Sequence, residues 1–312
     1  MALDSRSLLQ RLRIGPRRVV ASLRMLREVT KNRSLNTILF SPPGHFYSPL
    51  PSLRRIRGDT ARIFRSRDEI PGVDLGPTRQ LALLPEFARY YGEMPFQEKR
   101  SKEVRYFFDN SYFAYSDAII LYSLLRHLRP KRVIEVGSGF SSAVMLDTDE
   151  RFLERTTQFT FIEPFPQRLR SLLTDEDMSR HRILEASVQD VPLDTYADLD
   201  RSDILFIDSS HVVKTGSDVA FLFFEVLPSL RPGTIVHVHD VLWPFEYPES
   251  WIYEGRAWNE AYFLRAFLQY NGAFEILYFN SYMGTCFRNE VSESLPLCLK
   301  DTGGSIWLRK LG

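Results

Sequence analysis

The chain has 312 residues, 44% hydrophobic and 25% charged, which are proportions of a folded globular protein and exclude a disordered or fibrous one. Two cysteines are too few for a disulfide framework or a cysteine-rich metal cluster, and no apolar run reaches the roughly 18 residues of a membrane-spanning helix. The formal net charge of +1 is divided unevenly: residues 1–67 hold 15 Lys/Arg and three acids, a basic arm, and the rest of the chain is acidic.

The arm comes first. Arg6, Arg11, Arg13, Arg17 and Arg18 interrupt its leucines, so no secretion signal is read and the expected location is the cytoplasm. Pro16 can open a helix that carries Val19, Leu23, Leu26 and Thr30 on one face. A basic amphipathic helix of this kind suits packing on the body, a homo-oligomer contact, or peripheral attachment to an anionic membrane surface. Nucleic acid is not expected, because the arm has no recognised nucleic-acid motif and the body is acidic. In S-P-P-G-H-F-Y-S-P-L-P (41–51), four prolines and a glycine forbid a regular helix. The segment reads either as a substrate lid, with His45 and Tyr47 as acceptor contacts, or as a strap that packs its aromatics on the core. The arm and this segment are assigned residues 1–74, and a single domain 75–312.

From about residue 75 the pattern is helical, and from 131 it alternates. Strands are expected at Arg132–Val136, Phe159–Ile162, Ile183–Ala186, Ile204–Ile207, Ile235–Val238, Phe274–Phe279 and Ser305–Lys310. Helices are expected over 141–154, after Pro166, through Leu227 and over 257–270. The alternation predicts an α/β fold: a mostly parallel sheet with helices on both faces and the ligand site at the carboxyl ends of the strands. No helix is evident between the last two strands, which read as an antiparallel hairpin at one sheet edge.

Residues 132–142, R-V-I-E-V-G-S-G-F-S-S, form a strand, a glycine turn and a helix start. Gly137 and Gly139 let the backbone approach a ligand closely, and the next helix turns its amides toward it. Ser142 stands where a dinucleotide fold would place a third glycine, which counts against a nicotinamide-dependent oxidoreductase or epimerase. Glu163, 24 residues beyond Gly139, can accept hydrogen bonds from both hydroxyls of a ribose. The E-x-G-x-G string resembles the first motif of class I S-adenosylmethionine-dependent methyltransferases. The chain is similar in particular to a bacterial family with stretches like P-G-H-F-Y-S-P (43–49), Y-S-D-A (115–118), I-D-S-S-H (207–211), H-V-H-D (237–240) and W-N-E (258–260).

The resemblance implies a Rossmann-like methyltransferase sheet of seven strands, the last antiparallel and inserted beside the fifth. It implies S-adenosylmethionine as cofactor, with Glu135, Gly137 and Gly139 around the methionine end, Glu163 on the ribose, and Ser187 and Gln189 near the adenine. Asp208 is counted with the cofactor residues. Glu135 has an alternative reading, as a structural acid satisfied by a neighbouring loop.

Asp208 and His211 follow the fourth strand; His239 and Asp240 end the fifth. These strands should be neighbours, so all four side chains converge. His239 or His211 is expected as general base toward a hydroxyl or amine, oriented by Asp208 or Asp240. The same four residues could instead hold a divalent metal. His237 shares a face with His239 but lies deeper and reads as a core histidine. Trp258, Asn259 and Glu260 open a helix facing the site and are taken as acceptor contacts, behind an aromatic segment suited to flat or sugar rings. The expected activity is methyl transfer to oxygen on a small or carbohydrate-like acceptor, against a non-enzymatic scaffold that keeps the cofactor pocket.

Overall fold

A computed structural model describes residues 40–312 and resolves the chain into two compact units, Met1–Ile63 and Phe64–Gly312. The helix expected after Pro16 lies outside the described residues. Residues 64–74, grouped with the arm on sequence, cluster instead with the second unit. Within the first unit the proline-rich segment is a tight loop. Gly44, at φ +81°, donates its N–H to the Leu50 carbonyl at 3.1 Å, and Phe46 and Tyr47 are exposed. A short helix, Leu53–Gly58, then starts on Ser52, whose hydroxyl accepts from the Arg55 N–H.

The second unit is built on seven strands: β1 (Arg132–Val136), β2 (Gln158–Ile162), β3 (Arg182–Leu184), β4 (Ile204–Ile207), β5 (Ile235–Val238), β6 (Phe274–Phe279) and β7 (Ile306–Lys310). Their spatial order is β3-β2-β1-β4-β5-β7-β6; β7 is antiparallel to both neighbours and the other pairs are parallel. This is the expected sheet, with the reversed strand beside the fifth. Every residue of β4 and β5 is buried, as continuous apolar runs must be when helices cover both faces of a parallel sheet.

Four longer helices matter for the site: α1 (Pro77–Tyr91), α2 (Tyr115–Leu128), α3 (Phe140–Phe152) and α4 (Glu260–Leu268). Helix α2 is buried over ten consecutive residues, Ser116–Leu125, and α3 over Ser141–Asp149. Helices enclosed on all sides cannot show a one-faced apolar stripe, which is why α2 has none, whereas α3, expected over 141–154, is announced by the glycine turn before it.

The connection between β6 and β7 departs from expectation. It is not a hairpin but two helices, Asn280–Cys286 and Arg288–Ser294, and a 3₁₀ turn, Pro296–Leu299. Met283, Phe287, Val291 and Leu295 recur every four residues through it, and the first, third and fourth are buried. Strand β3 also begins one residue earlier and ends sooner than the apolar run suggested. No helix among the described residues is long and apolar enough to cross a membrane.

Candidate active site

The strand order reverses between β1 and β4, and a crevice opens at their carboxyl ends. Gly137 leaves β1 at φ +78°, and a Cβ there would lie 2.0 Å from the Asp208 backbone oxygen. Only glycine lets the tips of β1 and β4 approach this closely. The Asp208 N–H donates to the Val136 carbonyl at 2.8 Å, locking the two tips together.

Two cavities meet here and share Asp208 as a wall. The smaller, about 380 Å³, is lined by Gly137, Glu163, Ser187, Gln189 and Lys214. One Glu163 oxygen accepts from the Ser138 N–H (3.2 Å) and the other from the Phe165 N–H (2.8 Å), which orients the carboxylate and leaves acceptor capacity on both oxygens. The larger cavity, about 560 Å³, is lined by Asp117, Gly139, His211, His239, Asp240 and Trp258, among others.

Glu135 lines neither cavity. Fully buried, it accepts hydrogen bonds from the Ser141 hydroxyl at 2.5 Å and from the Ser142 hydroxyl, and so ties β1 to the first turn of α3. Burial outweighs these bonds and pushes its pKa up to about 8, so it carries its proton at neutral pH. Ser142, in the place of a third glycine, thus bonds the acid of the first motif.

His211 sits among three carboxylates. Its Nδ1 is 2.9 Å from Glu260 Oε2, and its Nε2 is 3.4 Å from Asp208 Oδ1 and 3.5 Å from Asp240 Oδ2. Burial works against its charge, but the bonds to Asp208 and Glu260 outweigh it and hold the imidazole at about 10. Without a ligand it is held as an imidazolium at neutral pH. Burial would raise the pKa of Asp208, yet the His211 hydrogen bond takes it below the ordinary carboxylate value. His211 and Asp240 both adopt left-handed backbone, φ 60° and 54°, an uncommon conformation for side chains of this kind and one that gathers at functional sites.

His239 is buried, with Nε2 3.8 Å from Asp240 Oδ1 and Nδ1 without a hydrogen-bond partner among the described residues. Burial disfavours its charged form, but Asp240, Asp208 and Asp117 around it raise its pKa above the ordinary value. Among the described residues no three His, Cys, Asp or Glu side chains are arranged to hold a metal ion. The geometry therefore adds no support to the metal reading of Asp208, His211, His239 and Asp240.

The W-N-E stretch is only in part what its position suggested. Trp258 lines the larger cavity and packs on the His211 ring at 4.3 Å. Asn259 and Glu260 face the loop after β4 instead. Asn259 Oδ1 accepts from the Val213 N–H (2.6 Å), and Glu260 accepts from the Ser209 hydroxyl (2.9 Å) as well as binding His211. His45 and Tyr47 belong to the first unit, where the Tyr47 N–H donates to His45 Nδ1 at 3.2 Å. His237 is fully buried and stacked on Phe206 with ring centroids 3.7 Å apart; burial holds it well below its ordinary pKa.

Sequence reasoning gave Asp117 no role. This buried residue of α2 lines the larger cavity and accepts from the Gly304 N–H (3.1 Å), Asn280 Nδ2 (3.1 Å) and the Ser305 hydroxyl (2.6 Å). Ser305, having given its proton to Asp117, accepts from His237 Nε2 at 2.9 Å. Gly303 makes room for this carboxylate, since a Cβ at its φ of +71° would lie 2.3 Å from Asp117 Oδ1. The available signal was a lone acid at the head of an otherwise apolar segment, D-A-I-I-L-Y, paired with the distant D-T-G-G-S turn.

A sheet that reverses at β1/β4, with paired cavities over a glycine turn, defines an α/β fold whose candidate site lies at the carboxyl ends of the strands. Residues 134–241 match the family model of a methyltransferase domain. An uncharacterised protein of Archaeoglobus fulgidus is 31% identical over 191 residues, covering 59% of this chain and 84% of that protein. Among solved structures, the O-methyltransferase TomG of Streptomyces achromogenes, in complex with SAM, is 14% identical with a TM-score of 0.41, covering 83% of this chain and 96% of that one. The SAH-bound methyltransferase PaMTH1 of Podospora anserina is likewise 14% identical, at 0.42, covering 83% and 95%. The similarity to a methyltransferase domain is thus carried by residues 134–241, which span the glycine turn and the tips of β1, β4 and β5.

Proposed function

We propose that the protein transfers a methyl group from S-adenosylmethionine to a hydroxyl of a small, carbohydrate-like acceptor. The observation that carries this reading is the pair of cavities joined at Asp208 within a methyltransferase domain. One is lined by an oriented carboxylate, Glu163; the other holds His239 beside Asp240. In this reading Ser187 and Gln189, which line the smaller cavity, contact the adenine, and Glu163 accepts from the ribose. Bound S-adenosylmethionine supplies an electrophilic methyl carbon on a cationic sulfonium. Asp208, kept ionised by His211, puts negative charge on the wall that both cavities share.

Transfer to oxygen requires that a hydroxyl be aligned and lose a proton. His239 is the base in this reading. It lines the acceptor cavity, its Nε2 makes no hydrogen bond among the described residues, and Asp240, 3.8 Å from that atom, favours the imidazolium that forms. His211 is a fixed cation that orders Asp208 and Asp240 and takes no proton. Trp251 and Trp258 offer ring faces to a sugar, and the carboxylates of Asp117 and Asp301 accept from its hydroxyls.

The test is methyl transfer from tritiated S-adenosylmethionine to the small-molecule fraction of a cell extract. A labelled product is expected, and its formation should fall about 10²- to 10⁴-fold with His239→Ala. Cofactor binding without transfer to any fraction would favour a scaffold and defeat the enzymatic reading.

A further inference from the structure

The larger cavity is strongly acidic, with Asp117, Asp208, Asp240 and Asp301 on its walls, yet two arginines also reach it. Arg256 is engaged: it pairs with Glu254 at 3.1 Å, and its guanidinium lies 4.4 Å from the Trp251 ring centroid. Arg168 is not. Among the described residues it has no ion-pair partner within 4.0 Å, whereas Arg170, in the same short helix after β2, pairs with Glu185.

Arg168 is nevertheless held in place. Its alkyl chain crosses the glycine turn, so that a Cβ on Gly139 would lie 3.3 Å from Arg168 Cδ. Its guanidinium carbon is 4.1 Å from the Tyr112 ring centroid, and Tyr112 stacks in turn on Phe140, the first residue of α3 (6.1 Å, 16° between planes). A guanidinium fixed on an aromatic face, with Asp208 acting on it only through space and no carboxylate bonded to it among the described residues, is prepared for a planar anion, which it can bind through two parallel hydrogen bonds.

The ligand set limits what that anion is. With adenosine in the smaller cavity, the methionyl part passes Asp208 and enters the larger one at the Gly137–Gly139 turn. It carries the cofactor's only anionic group, an α-carboxylate, into a space whose other charges are mostly negative. We propose that Arg168, braced by Tyr112, is the clamp for this carboxylate, and that it makes the site select adenosyl ligands with a free amino-acid end over adenosyl thioethers without one.

This rests on the cofactor reading above, and the experiment separates the two. The full chain, Arg168→Met and Arg168→Lys are titrated calorimetrically with S-adenosylhomocysteine; 5′-methylthioadenosine, which has no carboxylate, is measured by displacement. Arg168→Met should weaken S-adenosylhomocysteine about 10- to 100-fold while 5′-methylthioadenosine stays within about twofold, and Arg168→Lys should recover part of the loss. Equal weakening of both ligands would make Arg168 a structural residue and overturn the proposal. So would unchanged S-adenosylhomocysteine binding, including the case in which methyl transfer alone is lost and Arg168 serves the acceptor. A wild-type protein that binds neither ligand would remove the cofactor reading itself.

Discussion

At the scale of single residues, the site is decided by which ionisable groups carry protons. Glu135 keeps its proton in the folded state up to about pH 8, against an ordinary 4.5. Its contribution to stability is complete below pH 4.5 and is lost as pH rises through 8. Relative to Glu135→Gln, the wild type should lose about 1.4 kcal/mol per pH unit across that interval and change little above it, which denaturant titrations at several pH values would read. His211 and His239 set a second dependence. The base must be neutral and His211 charged, so transfer should rise with pH through a histidine pKa above 6.5 and fall as pH approaches 10. His239→Ala should remove the rising limb; a rate flat between pH 6 and 9 would exclude His239 as the base. Gly137→Ala should cost about 2 kcal/mol or more and impair cofactor binding, because the added carbon meets backbone and the φ is left-handed.

At the scale of elements, the sheet, the glycine turn and the acids after β2, β4 and β5 were legible because each rests on a local pattern. Alternating strands and helices, two glycines, and polar residues directly after apolar runs need no knowledge of distant contacts. What escaped detection depends on pairings remote in sequence. Glu260 reaches His211 from 49 residues away and Ser305 reaches Asp117 from 188, so W-N-E read as acceptor contacts and Asp117 as nothing. Both readings of Glu135 stayed open for a related reason: the first motif is visible in the string, but its burial against Ser141 and Ser142 is not. Arg105 is the clearest long-range tie. From the loop before α2 it binds Asp147 and Glu150 of α3 and Asp177, each at 2.8 Å. Arg105→Met would strand the buried Asp147 carboxylate and should cost about 3–5 kcal/mol, seen as a lowered thermal midpoint.

At the scale of the whole molecule, the near-neutral total conceals a basic arm and an acidic body, and every group discussed for cofactor and base belongs to the second unit, Phe64–Gly312. A chain beginning at Phe64 is expected to bind S-adenosylhomocysteine within about threefold of the full chain. A larger loss would place part of the cofactor site in the arm or in the loop of His45 and Tyr47. The central claim is that the cavity pair joined at Asp208 is an S-adenosylmethionine site, with Glu163 on its ribose. Calorimetric titration of the full chain with S-adenosylmethionine, alongside Glu163→Ala, tests it most directly. The account predicts saturable one-to-one binding at about 1–100 µM, weakened at least about tenfold by the substitution. Absence of binding at about 1 mM, or full affinity in Glu163→Ala, would contradict it.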